Sequence, residues 1–525
     1  VEDMILWDGL ENPYLYTLTA TLLEEGVAVD TVSQRFGFRT FELDSEQGCL
    51  LNGRSYPLRG VSRHQDVEGR GNALEREDHI RDLELILECG ANAVRLAHYQ
   101  QSQEFYDLCD EKGLAVWAEI PYISRHMEGG RENTLSQMRE LVKQNHHHPS
   151  IVCWGLSNEI TASGISEGLI ENNRALHDLC HSLDETRPTV MAHAFMLSPQ
   201  SPILAIPDLI GYNLYYGWYL GETGENGVFL DDLHAAYPDT PIALSEYGAD
   251  ALVTLQSDAP VRGDFSESYQ TVYHEQMCRL ISERPYLWGT FLWNMFDFGA
   301  DAREIGTSRG KNCKGLVTFD RKTRKDSFYV FKAFFSTEPF LHIAGSRFVY
   351  RNKERDIITV YSNQRSVTLF NNGACVGSVE ADKVFEFEVE FAERNLLEAV
   401  SGTLKESIEL FRTDEGQPQY SVSSHSDVSN WLSDLELSPS DTHFTVFDTV
   451  EDILAQEGGL EVIETIMKMR EGAKEGISAE VVIEPTMMMR LIKDSTVETL
   501  LKQFSFEPSK IIEVNGMLAA LPKER

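Results

Sequence analysis

No stretch of about 18 uncharged apolar residues occurs in the chain, which excludes a membrane-spanning helix. Positive charge is scarce: 46 Lys and Arg stand against 83 Asp and Glu, for a net charge of -37. Nucleic acids and other phosphate-rich partners are bound by clustered cations, so that class is excluded and the acidic surface mainly serves solubility. Cysteine is sparse and scattered, as Cys49, Cys89, Cys109, Cys153, Cys180, Cys278, Cys313 and Cys375, with no Cys-x-x-Cys pair. Several lie inside apolar runs, so reduced core thiols are expected and neither a disulfide framework nor a metal site is indicated.

What is present is length. At 525 residues the chain exceeds what one core can fill, and three or four domains are expected. It opens inside a β domain: 15–22 reads as a strand, Glu25-Gly26 as a turn and 27–29 as the partner strand. Two or three strands are marginal alone. Residues 1–42 are therefore read as the last strands of a truncated immunoglobulin-like β-sandwich with an N-terminal part preceding them, and the lack of a leader carries no information about export.

From about Gly48 to Phe335, short β-rich runs alternate with amphipathic stretches. Eight strands are predicted, at 58–62, 93–97, 115–120, 151–156, 189–192, 209–214, 242–246 and 286–293, with helical patterns at 78–89, 104–112, 134–145, 170–183 and 268–283. Eight βα units in under about 300 residues predict a (β/α)8 TIM barrel over 43–338. Beyond it the period becomes two at 355–361, 367–370, 384–391 and 395–398, with Asn371-Asn372-Gly373 as a turn, so a second immunoglobulin-like β-sandwich is predicted over 339–413. Residues 414–430 read as a linker. A small α-rich module is predicted over 431–525: Thr449 opens a helix that Gly458-Gly459 ends, another starts at Leu460, 479–483 is a candidate strand and 496–504 a third helix. Its methionines, Met467, Met469 and Met487 to Met489, are read as core filler.

Two glutamates follow short apolar runs: Glu159, after Trp154-Gly155-Leu156-Ser157-Asn158, and Glu246, after Leu244-Ser245. Barrel enzymes carry their chemistry at strand C-terminal ends, and two carboxylates there suit glycosidic cleavage, where one donates a proton while the other attacks or activates water. Taken singly, each glutamate is better read as a structural ion pair.

The segments Leu58-Arg59-Gly60-Val61-Ser62-Arg63-His64-Gln65-Asp66, Val94-Arg95-Leu96-Ala97-His98-Tyr99, His148-Pro149-Ser150 running into Trp154 to Glu159, Ser245-Glu246-Tyr247-Gly248 and Gly289-Thr290-Phe291-Leu292-Trp293-Asn294 resemble glycoside hydrolase family 2, from about Leu6 to Phe411. The family includes β-galactosidases, β-glucuronidases and β-mannosidases. The resemblance implies that Glu159 is the general acid/base and Glu246 the nucleophile of a retaining exo-β-glycosidase. It also implies that Asn158 bonds the sugar 2-hydroxyl, that His64, Asp66 and His98 bind hydroxyls at the pocket floor, and that Trp293 is an aromatic platform. Gln100 departs from the pattern, which has proline after the His-Tyr pair, so the loop carrying His98 is expected to differ in shape. His146-His147-His148 looks like a metal tract, but its last member fits His-Pro-Ser, and the run is read as structural.

Tyr215-Tyr216-Gly217-Trp218-Tyr219 is similar to a run in β-glucuronidases, implying Tyr215 and Tyr219 as site residues. Asn312-x-Lys314 resembles the Asn-x-Lys pair by which those enzymes hold the sugar's C6 carboxylate; a cation plus an amide suits a carboxylate better than a hydroxymethyl group. Arg303, Arg309, Lys311, Arg321, Lys322, Arg324 and Lys325 crowd the same stretch, however, so a charge-balancing basic loop is the bland alternative. β-Glucuronidase is the favoured reading, β-galactosidase of the same fold the runner-up, and a non-catalytic carbohydrate-binding protein the third. No cofactor is required. Some bacterial β-glucuronidases with extra C-terminal domains bind FMN away from the active site, although 431–525 holds no phosphate-cradling glycine-rich motif. The expected partner is a small-molecule glycoside, and the enzyme is read as a bacterial, cytoplasmic homo-oligomer.

Overall fold

The computed structural model describes residues 4–163, 165–195, 197–219, 221–305, 308–414, 440, 442–456, 458–472, 493, 495–503 and 514–523. The chain begins with an antiparallel hairpin of β1 (Tyr16–Glu24) and β2 (Val27–Phe36), turned at Glu25 and Gly26, both at positive φ. Two consecutive positive φ values match the right-handed twist of the flanking strands, and glycine takes the second at no steric cost. Leu18, Leu22, Val27 and Val32 on this hairpin are exposed. A second antiparallel sheet, β3 (Phe41–Asp44), β4 (Gly48–Leu51) and β5 (Arg54–Ser55), packs Phe41, Leu43 and Cys49 onto Trp117, Trp288 and Phe291, so it plugs one end of the next domain.

That domain is a closed barrel of eight parallel strands: β6 (Leu58–Arg63), β7 (Ala93–Leu96), β8 (Ala115–Glu119), β9 (Ile151–Asn158), β10 (Thr189–Ala194), β11 (Leu209–Asn213), β12 (Ile242–Tyr247) and β13 (Gly289–Leu292). Each strand expected from the sequence is present. Their residues are buried almost throughout, which is why they read as continuous apolar runs rather than alternating ones. Around them lie α1 (Arg76–Glu88), α2 (Gln103–Lys112), α3 (Arg131–Asn145), α4 (Glu167–Leu183), α5 (Glu225–Ala236), α6 (Glu267–Ser282) and α7 (Asp326–Phe335). Local chemistry sets their ends. In α2 the Ser102 hydroxyl caps the Glu104 amide and Gly113 closes the helix at φ 79°. Between β10 and β11 the described residues contain only the short 3-10 turn Pro202–Ala205.

One of the elements not foreseen lies beside the barrel mouth. After β13 the chain forms an antiparallel hairpin, β14 (Phe298–Ile305) and β15 (Ser308–Asn312), where the sequence showed only a basic loop. Charged residues are depleted in strands, so its composition hid it.

The second β domain is a sandwich. One sheet orders β16 (Leu341–Ile343), β18 (Arg355–Ser362) and β21 (Val384–Glu390). The other orders β17 (Tyr350–Arg351), β23 (Leu404–Arg412), β22 (Arg394–Ser401), β19 (Ser366–Asn371) and β20 (Ala374–Glu380). Phe385, Phe387 and Val389 of β21 face Leu369, Leu397 and Leu410 in the shared core. β20 and β23 went unread in the sequence because several of their apolar residues are only half buried, which blurs the period of two.

A buried ionic cluster joins sandwich to barrel. Arg347 pairs with Glu267 at the start of α6 and Asp326 at the start of α7, and His342 lies 3.2 Å from Asp326 and 3.1 Å from Glu406. Burial opposes charging of His342, but the bonds to Asp326 and Glu406 outweigh it and raise its pKa to about 9. A raised histidine contributes stability that is fully present below its unfolded value near 6.5 and is lost as pH rises through about 9. Across that window the wild type is expected to lose on the order of 2 kcal/mol more than His342→Gln, readable as melting temperature against pH. Parallel curves for the two proteins would refute the coupling.

In the C-terminal module the described helices are Val450–Leu454, Gly459–Gly472 and Val497–Gln503, with a further helical stretch over 514–518. Thr449 caps the first through the Asp452 amide, as its position in the sequence indicated. Phe444, Val446, Ile453, Ile463, Leu500 and Leu518 form their core, with Met467 packed at its edge. The linker over 415–430, the candidate strand at 479–483 and Met487 to Met489 lie outside the described residues.

Candidate active site

Every barrel strand except β10 places a side chain named below at or just past its C-terminal end. Glu159 follows β9 immediately, in the left-handed region at φ 45°, uncommon for a residue with a Cβ and most often met where function fixes the backbone. Its amide donates to the Ala192 carbonyl at 2.8 Å, tying the turn to β10. Glu246 lies on β12 and is 5% exposed. Asn213 ends β11, beside Glu246 in the strand register, and Ser245 Oγ donates to its Oδ1 at 2.8 Å.

A continuous hydrogen-bonded chain links the two glutamates. Asn213 Nδ2 donates to Glu159 Oε1 at 3.0 Å and to Asn158 Oδ1 at 3.1 Å. Arg95 then donates to Asn158 Oδ1 and to Glu246 Oε1, both at 2.8 Å. The Tyr215 hydroxyl donates to the other oxygen, Glu246 Oε2, at 2.7 Å. Burial, then the charge of Glu246, raises the Glu159 pKa. One carboxyl is thus pushed toward its protonated form, while the other is fixed at both oxygens by hydrogen-bond donors.

His98 and Trp293 form one wall, their rings stacked at 5.0 Å and 12°. His98 Nδ1 is 2.7 Å from Glu119 Oε1, the carboxylate that also pairs with Arg95. His64 packs edge-on to Trp293 and against Phe298, and burial pushes its pKa down to about 3, so it stands neutral near pH 7. Asp66 accepts the Gly299 amide through Oδ2 at 2.9 Å, while its buried Oδ1 has no hydrogen-bond partner among the described residues. Burial raises the Asp66 pKa. Gly248 passes so close to Trp293 that a Cβ would lie 2.2 Å from the Trp293 carbonyl, which explains glycine after Glu246-Tyr247.

At the other end lies a cationic cluster. Lys314 Nζ donates to Tyr219 Oη at 2.9 Å and pairs with Asp250, both charged side chains being 1% exposed. Burial opposes ionisation of Asp250, but Lys314 and Arg303 hold its pKa below the ordinary value. Arg303 on β14 reaches the same place, with Nη2 2.9 Å from Tyr219 Oη and Nη1 3.5 Å from Asp250 Oδ2. Tyr219 packs against Tyr215 with ring centroids 5.1 Å apart and planes tilted by 57°, which connects this cluster to Glu246. Asn312 ends β15, buried, its Oδ1 accepting the Lys314 amide at 3.1 Å.

All eleven residues singled out from the sequence therefore fall at one end of the barrel or on the hairpin beside it. Arg95, Glu119, Asn213, Asp250 and Arg303 were not singled out, although they hold the set together. For Arg95 a signal existed: a lone cation inside the apolar run Ala93-Val94-Arg95-Leu96-Ala97 needs a buried anion. In the His tract, His148 is buried against Asp110 at 2.6 Å while His146 is exposed. Gln100 bonds Gln144 at 2.7 Å.

Comparison with known proteins gives a consistent picture. Residues 42–336 match the family described as "Glycosyl hydrolases family 2, TIM barrel domain", and residues 1–39 match "Glycosyl hydrolases family 2". A curated relative from Bacteroides fragilis, described as a beta-glucuronidase, is 40% identical over 392 residues, covering 72% of this chain and 56% of its own length. A solved structure described as an FMN-binding beta-glucuronidase from Facaelibacterium prausnitzii L2-6 superposes with a TM-score of 0.79 at 46% identity, covering 80% of this chain and 66% of that one. One described as a putative beta-galactosidase from Bacteroides fragilis gives 0.75 at 37% identity, covering 78% and 62%. The chain thus spans little more than half the length of the curated relative.

Proposed function

Since the chain belongs to glycoside hydrolase family 2, we propose that it hydrolyses terminal β-D-glucuronides with retention of configuration. The observation that carries the reading is the Asn312–Lys314 corner joined through Tyr219 and Tyr215 to Glu246, which places cationic and amide donors beside the reacting end of the pocket. A sugar carboxylate is met there by charge-assisted hydrogen bonds. The named relatives of glucuronidase type support the same sugar.

In the first step a Glu246 oxygen attacks the anomeric carbon, and the bond to the leaving oxygen breaks as that oxygen takes the Glu159 proton. In the second, Glu159 takes a proton from water, the water oxygen attacks the anomeric carbon, and the ester bond breaks to restore the Glu246 carboxylate. Arg95 and Tyr215 hold and aim Glu246, and burial together with the neighbouring Glu246 raises the Glu159 pKa, which favours its role as proton donor in the first step. Asn158, oriented by Arg95 and Asn213, meets the 2-hydroxyl, a contact that strengthens as the oxocarbenium-like transition state develops. His64, His98 and the unpaired oxygen of Asp66 receive the remaining hydroxyls against the Trp293 platform.

Net hydrolysis moves no electrons, so no redox group is required. Among the described side chains of the C-terminal module, Lys493 and Lys523 are already paired with Glu451 at 3.8 Å and Asp448 at 2.7 Å. A relative at 46% identity is described as FMN-binding, so a flavin is compatible with this chain, outside the hydrolytic steps.

A structural relative described as a putative beta-galactosidase keeps the second sugar in play. Side-by-side hydrolysis of an aryl β-glucuronide and an aryl β-galactoside decides between them. The glucuronide is expected to lead in kcat/KM, and Lys314→Gln to lower its value roughly 100-fold, from loss of a charged hydrogen-bond donor. A galactoside preference indifferent to Lys314→Gln would move the chain to the runner-up.

A further inference from the structure

We propose that Arg303 is the residue that makes this site selective for an anionic sugar, because it supplies the only uncompensated positive charge in the Asp250–Lys314–Tyr219–Arg303 group. The inference rests on the glucuronide reading above. Lys314 and Asp250 are both buried and paired, so together they contribute no net charge. A carboxylate arriving beside that pair alone would meet Asp250 as well as Lys314, and would bring an unbalanced negative charge into a site largely shielded from water. Adding Arg303 gives the group a net charge of +1, which an incoming carboxylate neutralises.

Geometry supports the assignment. The Arg303 side chain is 36% exposed, against 1% for Lys314, so it is the more open of the two cations. Two of its nitrogens are engaged, on Tyr219 and at the longer distance of 3.5 Å on Asp250. A guanidinium carries five N–H donors in a planar fork, so donors remain for a carboxylate. Tyr219 Oη accepts from both Arg303 and Lys314, which fixes the cations relative to each other and leaves the phenolic hydrogen to donate. The β14–β15 hairpin is what brings the two cations together: Arg303 lies on its first strand and Lys314 two residues beyond its second.

The test compares an aryl β-glucuronide with the corresponding aryl β-glucoside, identical except for the neutral C6. Arg303→Gln is expected to lower kcat/KM for the glucuronide about 30-fold, chiefly through KM, while changing the glucoside less than about threefold. Arg303→Lys should recover most of the loss. Adding Asp250→Asn to Arg303→Gln should also restore glucuronide binding, because it returns the group to a net charge of +1 with an isosteric side chain. Equal losses on both substrates, or no loss on either, would overturn the role of Arg303 while leaving the glucuronide reading standing. A wild type that cleaves no glucuronide would sink that reading, and this inference with it.

Discussion

Glu246→Gln is expected to lower kcat on an aryl glycoside by roughly ten-thousand-fold or more with little change in melting temperature. The substitution removes the attacking oxygen's charge but keeps the shape. Arg95 Nη1 can still donate to the remaining carbonyl oxygen, and the Tyr215 hydroxyl, now facing an amide, can turn from donor to acceptor. The loss therefore reports chemistry rather than unfolding. It should be large because no other carboxylate among the described residues is held at that place: Glu119, which shares Arg95 with Glu246, is committed to Arg95 and His98. A mechanism-based inactivator that leaves a stable glycosyl ester should label the wild type at Glu246 and leave the variant unlabelled. Full activity in Glu246→Gln, or label on another residue, would remove the basis of the double displacement.

The second large effect is expected at Glu159, with a different signature. Glu159→Gln should cost on the order of a thousandfold for poor leaving groups, within the range spanned by general acid–base catalysis. The cost should be much smaller in the first step for an aryl group that leaves without protonation, so the glycosyl-enzyme should accumulate as a burst. Glu159→Ala leaves room for azide, which needs no deprotonation and should restore turnover with a β-glycosyl azide as product. The pH profile follows from the same geometry. Burial and the neighbouring Glu246 charge raise the Glu159 pKa, so its proton is retained above the ordinary carboxyl range. The alkaline limb of kcat/KM should therefore sit above that range in the wild type and disappear in Glu159→Gln. An unchanged alkaline limb in the variant would assign the proton donor elsewhere.

The two glutamates illustrate what a sequence can disclose about such a site. Both follow short buried strands, and a strand buried on both faces leaves a plain mark: an apolar run that ends abruptly in a polar residue. All eight barrel strands left that mark. The β14–β15 hairpin did not, because its two strands pair mainly with each other and carry charge, so nothing in their period or composition separates them from a loop. Asn312 and Lys314 were legible only through their resemblance to a known pair, and Arg303 only as one of several cations nearby. β20 and β23 were lost for a related reason, partial burial.

The network behind the glutamates was the least legible part. Arg95, Asn213 and Glu119 come from three separate strands, and their hydrogen bonds join residues up to 151 positions apart. Side-chain periodicity reports which face of an element is buried, but not which distant residue stands opposite.

Residue order was enough for the βα alternation, the eight strands and the positions of Glu159 and Glu246, because burial and strand ends are written locally in residue type. Tertiary structure alone decided that Glu246 is held by Arg95 and Tyr215, that Glu159 bears the raised pKa, and that Asp250 cancels Lys314 and leaves Arg303 as the excess charge. Those outcomes depend on distances between groups far apart in the chain, and electrostatics in a buried site is set by distance and desolvation rather than by order along the sequence.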